Sequence, residues 1–580
     1  MNLFHDYQRK IFVSLKKLEI KKKIKIPHEI KKFATELPPK EQNADISCNA
    51  AMVLANANNS SPLKLAEIFK NHLLLDIKEF KNIVVANPGF LNITFHNDFW
   101  KSYLLRTIKL NKKYGSNNLK RHKYNIEFVS ANPTGPLHVG HCRGAILGDS
   151  LSNLLVFNGN KVTKEYYVND YGGQIENFVN SVYYRILEIR ENKPFPQNEN
   201  LYPGKYIIDI AKKILEKKII RNFKNFDKIK KKLSSEALKY SMKIIIENLN
   251  LLGVKHDNFI YESNLINKKS VSKAVKKLQT KKYVYSGNLS PPKGLSLTGD
   301  LKVEWKSRKQ LLFRSSSFGD DVDRPLQKAD GSWTYFAGDI AYHHNKISRK
   351  FDILINILGS DHSGYIKRIT SATKALSENK TNLKCKVCQM VKLFKNGEPF
   401  VMSKRKGDYI TVEDLVKEVG KDSVRFMMLN RSNDVELDFD FKKVTEKSKD
   451  NPIFYVQYAY ARINSIFKIL NIKLEKKIQF NKKKFQLNTY EIEILKKISE
   501  WPKCVDLSSS KLEPHRIPFY LYELVTLFHS YWNLGKDNKE FRFVTDRKDL
   551  NFLRLALLQA LSIVIKNGMS ILGVSTPRSM

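Results

Sequence analysis

The chain has 580 residues, 42% of them hydrophobic, which is enough for about three or four globular domains with ordinary cores. Its formal net charge of +43 favours a polyanionic partner such as nucleic acid, but the Lys-, Ile- and Asn-rich composition of an AT-rich genome explains the excess equally well. The N-terminal 30 residues lack an apolar signal segment, and the five cysteines are an odd number scattered along the chain. Both observations favour a protein of the reduced cytoplasm.

Residues 1 to about 115 predict a small mixed α/β domain, with amphipathic helices and a closing strand at Gly89–Phe95. The polar, basic stretch Lys112–Lys123 predicts a linker to the next domain.

The middle region, 116–445, predicts a doubly wound parallel-sheet domain. A strand-like run at Tyr124–Val129 is followed by a Gly/Pro turn, a helix at Gly140–Phe157 and a second strand at Lys161–Val168, which together make a βαβ unit. A long Lys-rich stretch at about 174–285 predicts a helical insertion in this domain.

The last region, 446–580, predicts an all-α bundle, because strand patterns stop after about Asp440 and apolar residues recur at helical spacing. Its most apolar run, Leu555–Ile565, is too short to span a bilayer, so we expect a buried helix and no membrane association. The predicted fold class is therefore α/β with a small α/β N-terminal domain and an all-α C-terminal bundle.

Cys385 and Cys388 form a lone C-x-x-C in a strand-like run. A structural zinc site needs four ligands, and no second pair lies nearby in sequence. We therefore interpret these cysteines as small hydrophobic residues and expect no bound metal.

The segment Ser130–His141 carries the most specific chemistry, in the sequence S-A-N-P-T-G-P-L-H-V-G-H. Two histidines at the mouth of a helix can donate hydrogen bonds to a phosphate, and Gly135 and Gly140 allow close approach of a ligand. The alternative is a helix entry with two surface histidines. The position at the carboxyl end of a predicted strand favours a ligand site.

A second motif, M-S-K-R-K-G at Met402–Gly407, places Lys404 in a Gly-ended loop. A lysine in such a loop suits charge stabilisation of a phosphate during chemistry. Taken alone, a Lys/Arg cluster is more often a solvated surface.

Together the two motifs, about 260 residues apart, resemble the signatures of class I aminoacyl-tRNA synthetases. The chain further resembles the bacterial-type arginyl-tRNA synthetases in several long segments, among them E-F-V-S-A-N-P-T-G-P-L-H-V-G-H, D-R-P-L-Q-K-A-D-G-S-W-T-Y-F-A-G-D-I-A-Y-H, G-S-D-H-S-G-Y and N-P-I-F-Y-V-Q-Y-A-Y-A-R. The similarity runs nearly end to end.

The resemblance implies a Rossmann-like catalytic domain at 116–445, a tRNA-binding domain at 1–115 and an anticodon-binding bundle at 446–580. It implies ATP-dependent activation of L-arginine to arginyl-adenylate and transfer to tRNA(Arg), with Mg²⁺ accompanying ATP and no other cofactor. It also implies a monomer whose adenylate step requires bound tRNA. The rival functions are a class I synthetase for another amino acid and a non-catalytic RNA-binding paralogue.

The resemblance assigns catalytic roles to His138, His141 and Lys404. It assigns ATP contacts to Ala131, Asn132, Pro133, Thr134, Gly135, Pro136, Leu137, His138, Val139, Gly140, His141, Gly359, Asp361, His362, Met402, Ser403 and Lys404. It assigns arginine contacts to Glu127, Asn132, Tyr335 and Asp339, and a planar cation does need carboxylates and an aromatic face. The alternatives are a cross-strand ion pair for Glu127 and an ordinary exposed helix acid for Asp339.

Four positions depart from the family pattern. Val401 and Arg405 replace the first Lys and the last Ser of the five-residue loop motif, while the catalytic lysine position is intact. Ser363 and Tyr460 stand where relatives often have His. These changes affect fine contacts and leave the assignment in place.

Overall fold

The computed structural model describes residues 2–28, 33–39, 41–117, 121–267, 269–288, 309–395, 397–400, 410–544 and 550–580. The chain forms two compact units. One comprises residues 1–119, 157–159 and 446–580, and the other comprises residues 120–156 and 160–445.

The described residues form helices and strands throughout both units. The helices are α1 (Leu3–Ile20), α2 (Ala50–Leu54), α3 (Pro62–Asp76), α4 (Asn97–Leu110), α5 (Val139–Phe157), α6 (Gly173–Glu191), α7 (Lys205–Glu216), α8 (Phe226–Leu251), α9 (Glu262–Asn267), α10 (Ser270–Thr280), α11 (Tyr335–Ser348), α12 (Ile366–Ser377), α13 (Val412–Val419), α14 (Lys421–Leu429), α15 (Phe441–Thr445), α16 (Pro452–Ile469), α17 (Thr489–Lys511), α18 (Arg516–Asp537) and α19 (Phe552–Leu572). The strands are β1 (Thr35–Glu36), β2 (Ile46–Cys48), β3 (Phe80–Ala86), β4 (Phe90–Phe95), β5 (Lys123–Glu127), β6 (Lys161–Val168), β7 (Asn258–Tyr261), β8 (Val284–Gly287), β9 (Gln310–Phe313), β10 (Arg324–Pro325), β11 (Ile353–Gly359), β12 (Asn382–Cys388), β13 (Val391–Lys395), β14 (Glu398–Phe400) and β15 (Leu437–Asp440).

The N-terminal part of the first unit is a four-stranded antiparallel sheet in the order β1-β2-β4-β3, packed with helices. Its strand β4 matches the predicted closing strand and buries Leu91, Ile93 and Phe95. The predicted mixed α/β character of this part is confirmed.

The C-terminal part of the first unit consists of the helices α16 to α19, which confirms an all-α tail. Helix α19 runs well beyond the predicted apolar core and is long and apolar enough to cross a membrane. In its most apolar window, 89% of the residues are buried within the protein. It is thus the buried helix that the sequence predicts, although its apolar length exceeds the run Leu555–Ile565 on which that prediction rests.

The second unit is built on a five-stranded sheet in the order β12-β11-β5-β6-β7, with every neighbouring pair parallel. Starting from β5, the chain adds β6 and β7 on one side of this strand and then crosses over to add β11 and β12 on the other side. The strand order therefore reverses between β5 and β11. Ligands of open α/β sheets bind at the carboxyl ends of the strands on either side of such a reversal. The predicted doubly wound parallel sheet is confirmed, and its geometry fixes where the site lies.

The stretch 174–285 differs from the predicted helical insertion. Helices α6, α7 and α8 share their own core, but β7 lies within the stretch and pairs with β6 as the edge strand of the main sheet. The helical prediction is wrong at Asn258–Tyr261, because four residues are too few to show an alternating pattern between two helical runs. Strand β8, which pairs with β9, is a second departure.

The two cysteines of the C-x-x-C lie in β12, as the strand-like pattern predicts. Side chains three residues apart in a strand point to opposite faces of the sheet. Burial raises the pKa of both thiols, Cys385 and Cys388, to about 11, so neither is a ready thiolate ligand.

Candidate active site

The two histidines of the first motif lie together at the start of α5. His138 directly precedes the helix and His141 lies in its first turn, and their ring centroids are 4.0 Å apart. Leu137 and Val139 on either side are buried, so the segment is anchored and the imidazoles are held at the carboxyl edge of the sheet.

Backbone contacts fix the tautomer of both imidazoles. The His138 backbone N–H donates to Nδ1 of His141 at 3.3 Å, and the Gly140 N–H donates to Nδ1 of His138 at 3.2 Å. Because each Nδ1 accepts a hydrogen bond, a neutral ring carries its proton on Nε2. Both rings can therefore present an N–H donor to a phosphate oxygen.

The two glycines of the motif are required by neighbouring rings. A Cβ on Gly140 would lie 2.9 Å from the His138 imidazole, and a Cβ on Gly135 would lie 2.8 Å from the Tyr206 ring. Tyr206 also donates its hydroxyl to the Thr134 carbonyl at 2.9 Å. Glycine at these positions lets the turn pack tightly, with Ala131, Pro133 and Pro136 completing it.

The first motif pairs with the residues that follow the second. Val139 N donates to the Ile410 carbonyl at 3.1 Å and Val412 N donates to the Leu137 carbonyl at 3.0 Å, across a bridge between His138 and Thr411. Thr411 also caps α13 through a capping box with Asp414. Met402, Ser403 and Lys404 lie outside the described residues, and the described chain resumes at Ile410 and Thr411, which lie directly beside the histidines.

The loop after β11 lies on the other side of the strand reversal. Gly359 ends β11, and Asp361 and His362 follow in a short 3₁₀ turn, with 3.5 Å between Asp361 Oδ2 and His362 Nε2. Asp361 is 79% exposed and His362 is 63% exposed, so both side chains can meet a ligand.

Glu127 ends β5 and has a buried cation as its partner. The Lys346 Nζ, fully buried on α11, lies 2.5 Å from Glu127 Oε2 and 3.0 Å from Asn356 Oδ1. Ser130 donates its hydroxyl to Glu127 Oε1 at 3.2 Å. The ion pair considered as an alternative is present, although it joins a strand to a helix. The positive charge of the Lys346 ammonium offsets the negative charge of the Glu127 carboxylate.

The hydrogen bonds continue from this pair to the backbone of Asp339. Asn356 Nδ2 contacts His343 Nε2 at 3.0 Å, and His343 Nδ1 contacts the Asp339 carbonyl at 2.9 Å. Burial lowers the pKa of His343 to about 3, so this imidazole is neutral. The network fixes α11 against the sheet and thereby fixes the position of Asp339.

Asp339 is partly buried and accepts a hydrogen bond from the Tyr365 hydroxyl. Burial raises its pKa to about 6, with repulsion from Glu127 adding to the effect. Tyr335, one turn earlier on α11, is 73% exposed and lies at the rim. Asn132 is also exposed, and its Nδ2 donates to Gln174 Oε1 at 2.5 Å.

Two further carboxylates, absent from the sequence prediction, join this group. Burial and the charges of Asp339 and Asp170 raise the pKa of Glu262, the first residue of α9, to about 7. The four carboxylates, which we call the acidic cluster, surround Tyr167 and together with burial raise the pKa of its hydroxyl: Glu127, Asp170, Glu262 and Asp339.

The members of the acidic cluster differ in their partners. Glu127 has Lys346, and Asp170 accepts hydrogen bonds from the backbone N–H and the hydroxyl of Ser263 at 2.8 and 2.6 Å. Within the part of the chain that the structure describes, neither Glu262 nor Asp339 has an ion pair. The sequence offers a signal for Asp170, because it is a polar residue just after the predicted strand β6. It offers none for Glu262, because the strand that precedes it, β7, was not predicted.

Three family models match successive parts of the chain. The arginyl tRNA synthetase N terminal domain matches residues 6–95, the catalytic domain of tRNA synthetases class I (R) matches 104–468, and the DALR anticodon binding domain matches 456–580. The chain is 52% identical to the arginine–tRNA ligase of Pelagibacter ubique and 43% identical to that of Chelativorans sp., each over the full length of both chains.

Solved structures agree in fold. A putative arginyl-tRNA synthetase from Campylobacter jejuni superposes with a TM-score of 0.71 at 30% identity, covering 84% of this chain and all of that one. The arginyl-tRNA synthetase of Thermus thermophilus gives a TM-score of 0.72 at 18% identity, covering 99% of this chain and all of that one.

Proposed function

This chain belongs to the arginyl-tRNA synthetases of class I, and we propose that it joins L-arginine to tRNA(Arg) at the expense of ATP, at the carboxyl edge of its parallel sheet. The observation that carries the choice of amino acid is the pair Glu262 and Asp339, two carboxylates that have raised pKa values and form no ion pair with any of the described residues. Such a pair is a receptor for a buried cation.

The guanidinium of arginine fits this receptor better than an ammonium. Its planar fork can donate to two carboxylates at once, while a lysine ammonium is a point charge that is more strongly hydrated. Tyr335 at the rim supplies an aromatic face, and Asn132 supplies an amide for the polar end of the amino acid. Glu127 keeps Lys346 as its partner and acts through Ser130 and the α11 network.

The first step forms arginyl-adenylate. A carboxylate oxygen of arginine attacks the α-phosphorus of ATP, supplied as its magnesium complex, and pyrophosphate leaves with the bonding electrons. The Nε2–H groups of His138 and His141 and the ammonium of Lys404 stabilise the charge that develops on the phosphate oxygens. We assign to Asp361 the role of accepting hydrogen bonds from the ribose hydroxyls.

In the second step a ribose hydroxyl of the terminal adenosine attacks the carbonyl carbon of the adenylate. The arginyl group passes to the tRNA and AMP leaves. Positioning and electrostatics account for catalysis in both steps, and no covalent enzyme intermediate is required.

The C-terminal bundle carries a platform suited to RNA bases. The Arg462 guanidinium lies 4.2 Å from the Tyr458 ring centroid and 4.9 Å from that of Trp532, and all three side chains are half-buried. Aromatic rings on which bases can stack, combined with a guanidinium, are the features that hold unpaired nucleotides. We assign this platform to the anticodon. We further propose that the protein is a monomer and that it acts in the cytoplasm.

Incubation of the protein with ATP, labelled arginine and tRNA(Arg) tests the proposal directly. Acid-stable arginyl-tRNA is the expected product, and labelled lysine at the same concentration serves as the control for charge alone. Absence of arginyl-tRNA, or equal charging with lysine, would contradict it.

A further inference from the structure

Helix α8 connects the helical insertion to the first motif. Its earlier turns pack with α6 and α7 in a core that includes Val182, Ile210, Leu233 and Ala237. Its last turns reach the catalytic sheet, where Met242 and Ile246 line a cavity of about 790 Å³ opposite Asp170 of the acidic cluster. The helix therefore has one end in the insertion and the other beside the site.

One side chain of α8 contacts the motif directly. The Asn248 Oδ1 accepts the backbone N–H of Leu137 at 2.9 Å, and both residues are buried. Leu137 directly precedes His138, and its carbonyl accepts from Val412, the first residue of α13. The backbone of Leu137 is thus held between α8 on one hand and the chain that follows the second motif on the other.

A buried arginine holds the same end of α8. The Arg425 Nη1 donates to the carbonyl of Leu252, just beyond the helix, at 2.9 Å, and its Nη2 lies 2.5 Å from Asp149 Oδ2 on α5. Helix α13 also packs against α8. With the end of α8 fixed in this way, the Asn248 carboxamide has a defined position from which to accept the Leu137 N–H.

We propose that Asn248 is a positioning residue for the H-x-G-H motif, and that through it the placement of the insertion helix helps to set the rate of adenylate formation. The inference rests on the proposed function. A buried backbone N–H without an acceptor is strongly disfavoured, so the segment 137–139 would shift to find another partner if Asn248 lost its oxygen. The imidazole of His138 would move with it, and small displacements of a positioned group lower turnover steeply.

Three variants separate the hydrogen bond from packing. Asn248→Leu keeps a similar volume and removes the acceptor, whereas Asn248→Asp keeps an oxygen at the same place. Asn250→Leu makes the same change at an exposed position of the same helix and serves as the matched control. The assay is arginine-dependent ATP–pyrophosphate exchange with tRNA(Arg) present, with kcat and KM for arginine measured separately.

We expect Asn248→Leu to lower kcat about tenfold, as expected for the loss of one fixed contact in a catalytic constellation, while KM for arginine changes less than twofold. Asn248→Asp should stay within about threefold of the parent and Asn250→Leu should be unchanged. Hydrogen exchange of the peptide spanning residues 137–141 should rise in the Leu variant and remain low in the Asp variant.

A kcat unchanged by Asn248→Leu would overturn the inference, as would equal losses in the Leu and Asp variants, which would assign the effect to packing. If Asn248→Leu fails to fold, Asn248→Ala replaces it in the same comparison with the same criteria. Because the parent enzyme is assayed alongside, a failure of the proposed function would show as an inactive parent, whereas a failure of this inference leaves the parent active.

Discussion

The KM for arginine should rise as the pH falls from 8 to 6, because the acidic cluster must be ionised to bind a guanidinium. The pKa of Glu262 is raised to about 7 and that of Asp339 to about 6, so both carboxyl groups become protonated in this window. If only the doubly ionised form binds, protonation at pH 6 weakens binding by about 11-fold through the first group and about 2-fold through the second. At pH 8 both groups are almost fully ionised. The expected increase in KM is therefore about 20-fold.

The assay is ATP–pyrophosphate exchange with saturating ATP and tRNA(Arg), at constant ionic strength between pH 6 and 8. The Glu262→Gln variant keeps the shape of the side chain and removes the group that titrates near neutrality. It should raise KM for arginine at pH 8 and reduce its pH dependence to about 2-fold, the contribution of Asp339 alone. KM for ATP in the same buffers controls for general effects of pH. A wild-type KM for arginine that changes less than about threefold, or a Glu262→Gln variant with the full wild-type dependence, would refute the reasoning.

Three further changes probe separate parts of the molecule. Lys346→Met leaves Glu127 as a carboxylate without its buried cation and should lower the free energy of unfolding by about 3–5 kcal/mol in urea titrations. Adding Glu127→Gln should restore most of the loss, and no recovery would argue against the ion pair as the cause. Lys404→Ala should lower kcat about 100-fold with the Kd for tRNA unchanged, whereas equal losses in both would contradict a role confined to the transition state. Arg462→Ala should weaken tRNA binding about tenfold in filter-binding measurements, with KM for arginine as the internal control; a Kd unchanged by the substitution would remove the platform from the anticodon site.

The sequence predicts those parts of the fold and site whose residues are contiguous. The strand β5, the turn, α5 and β6 follow one another, so their patterns and the H-x-G-H motif can be recognised together. The cation partner of Glu127 could not be found in this way, because Lys346 is 219 residues further along the chain and meets it only after the sheet has formed. Glu262 was missed for a related reason: it directly follows β7, a four-residue strand between two helical runs.

The partners of the acidic cluster explain how four carboxylates can select one cation. Lys346 pairs with Glu127, and Ser263 donates two hydrogen bonds to Asp170. Burial, together with repulsion from neighbouring carboxylates, raises the pKa of Glu262 and Asp339, and neither forms an ion pair with any of the described residues. A guanidinium relieves that repulsion and satisfies both carboxylates through its fork, whereas a neutral side chain of the same shape leaves both charges buried and unpaired. Neutral analogues are therefore rejected for two reasons: they lack the attraction to the carboxylates, and they leave Glu262 and Asp339 buried without a cation. The unfavourable free energy of burying these two charges also raises their pKa values, which makes binding depend on pH.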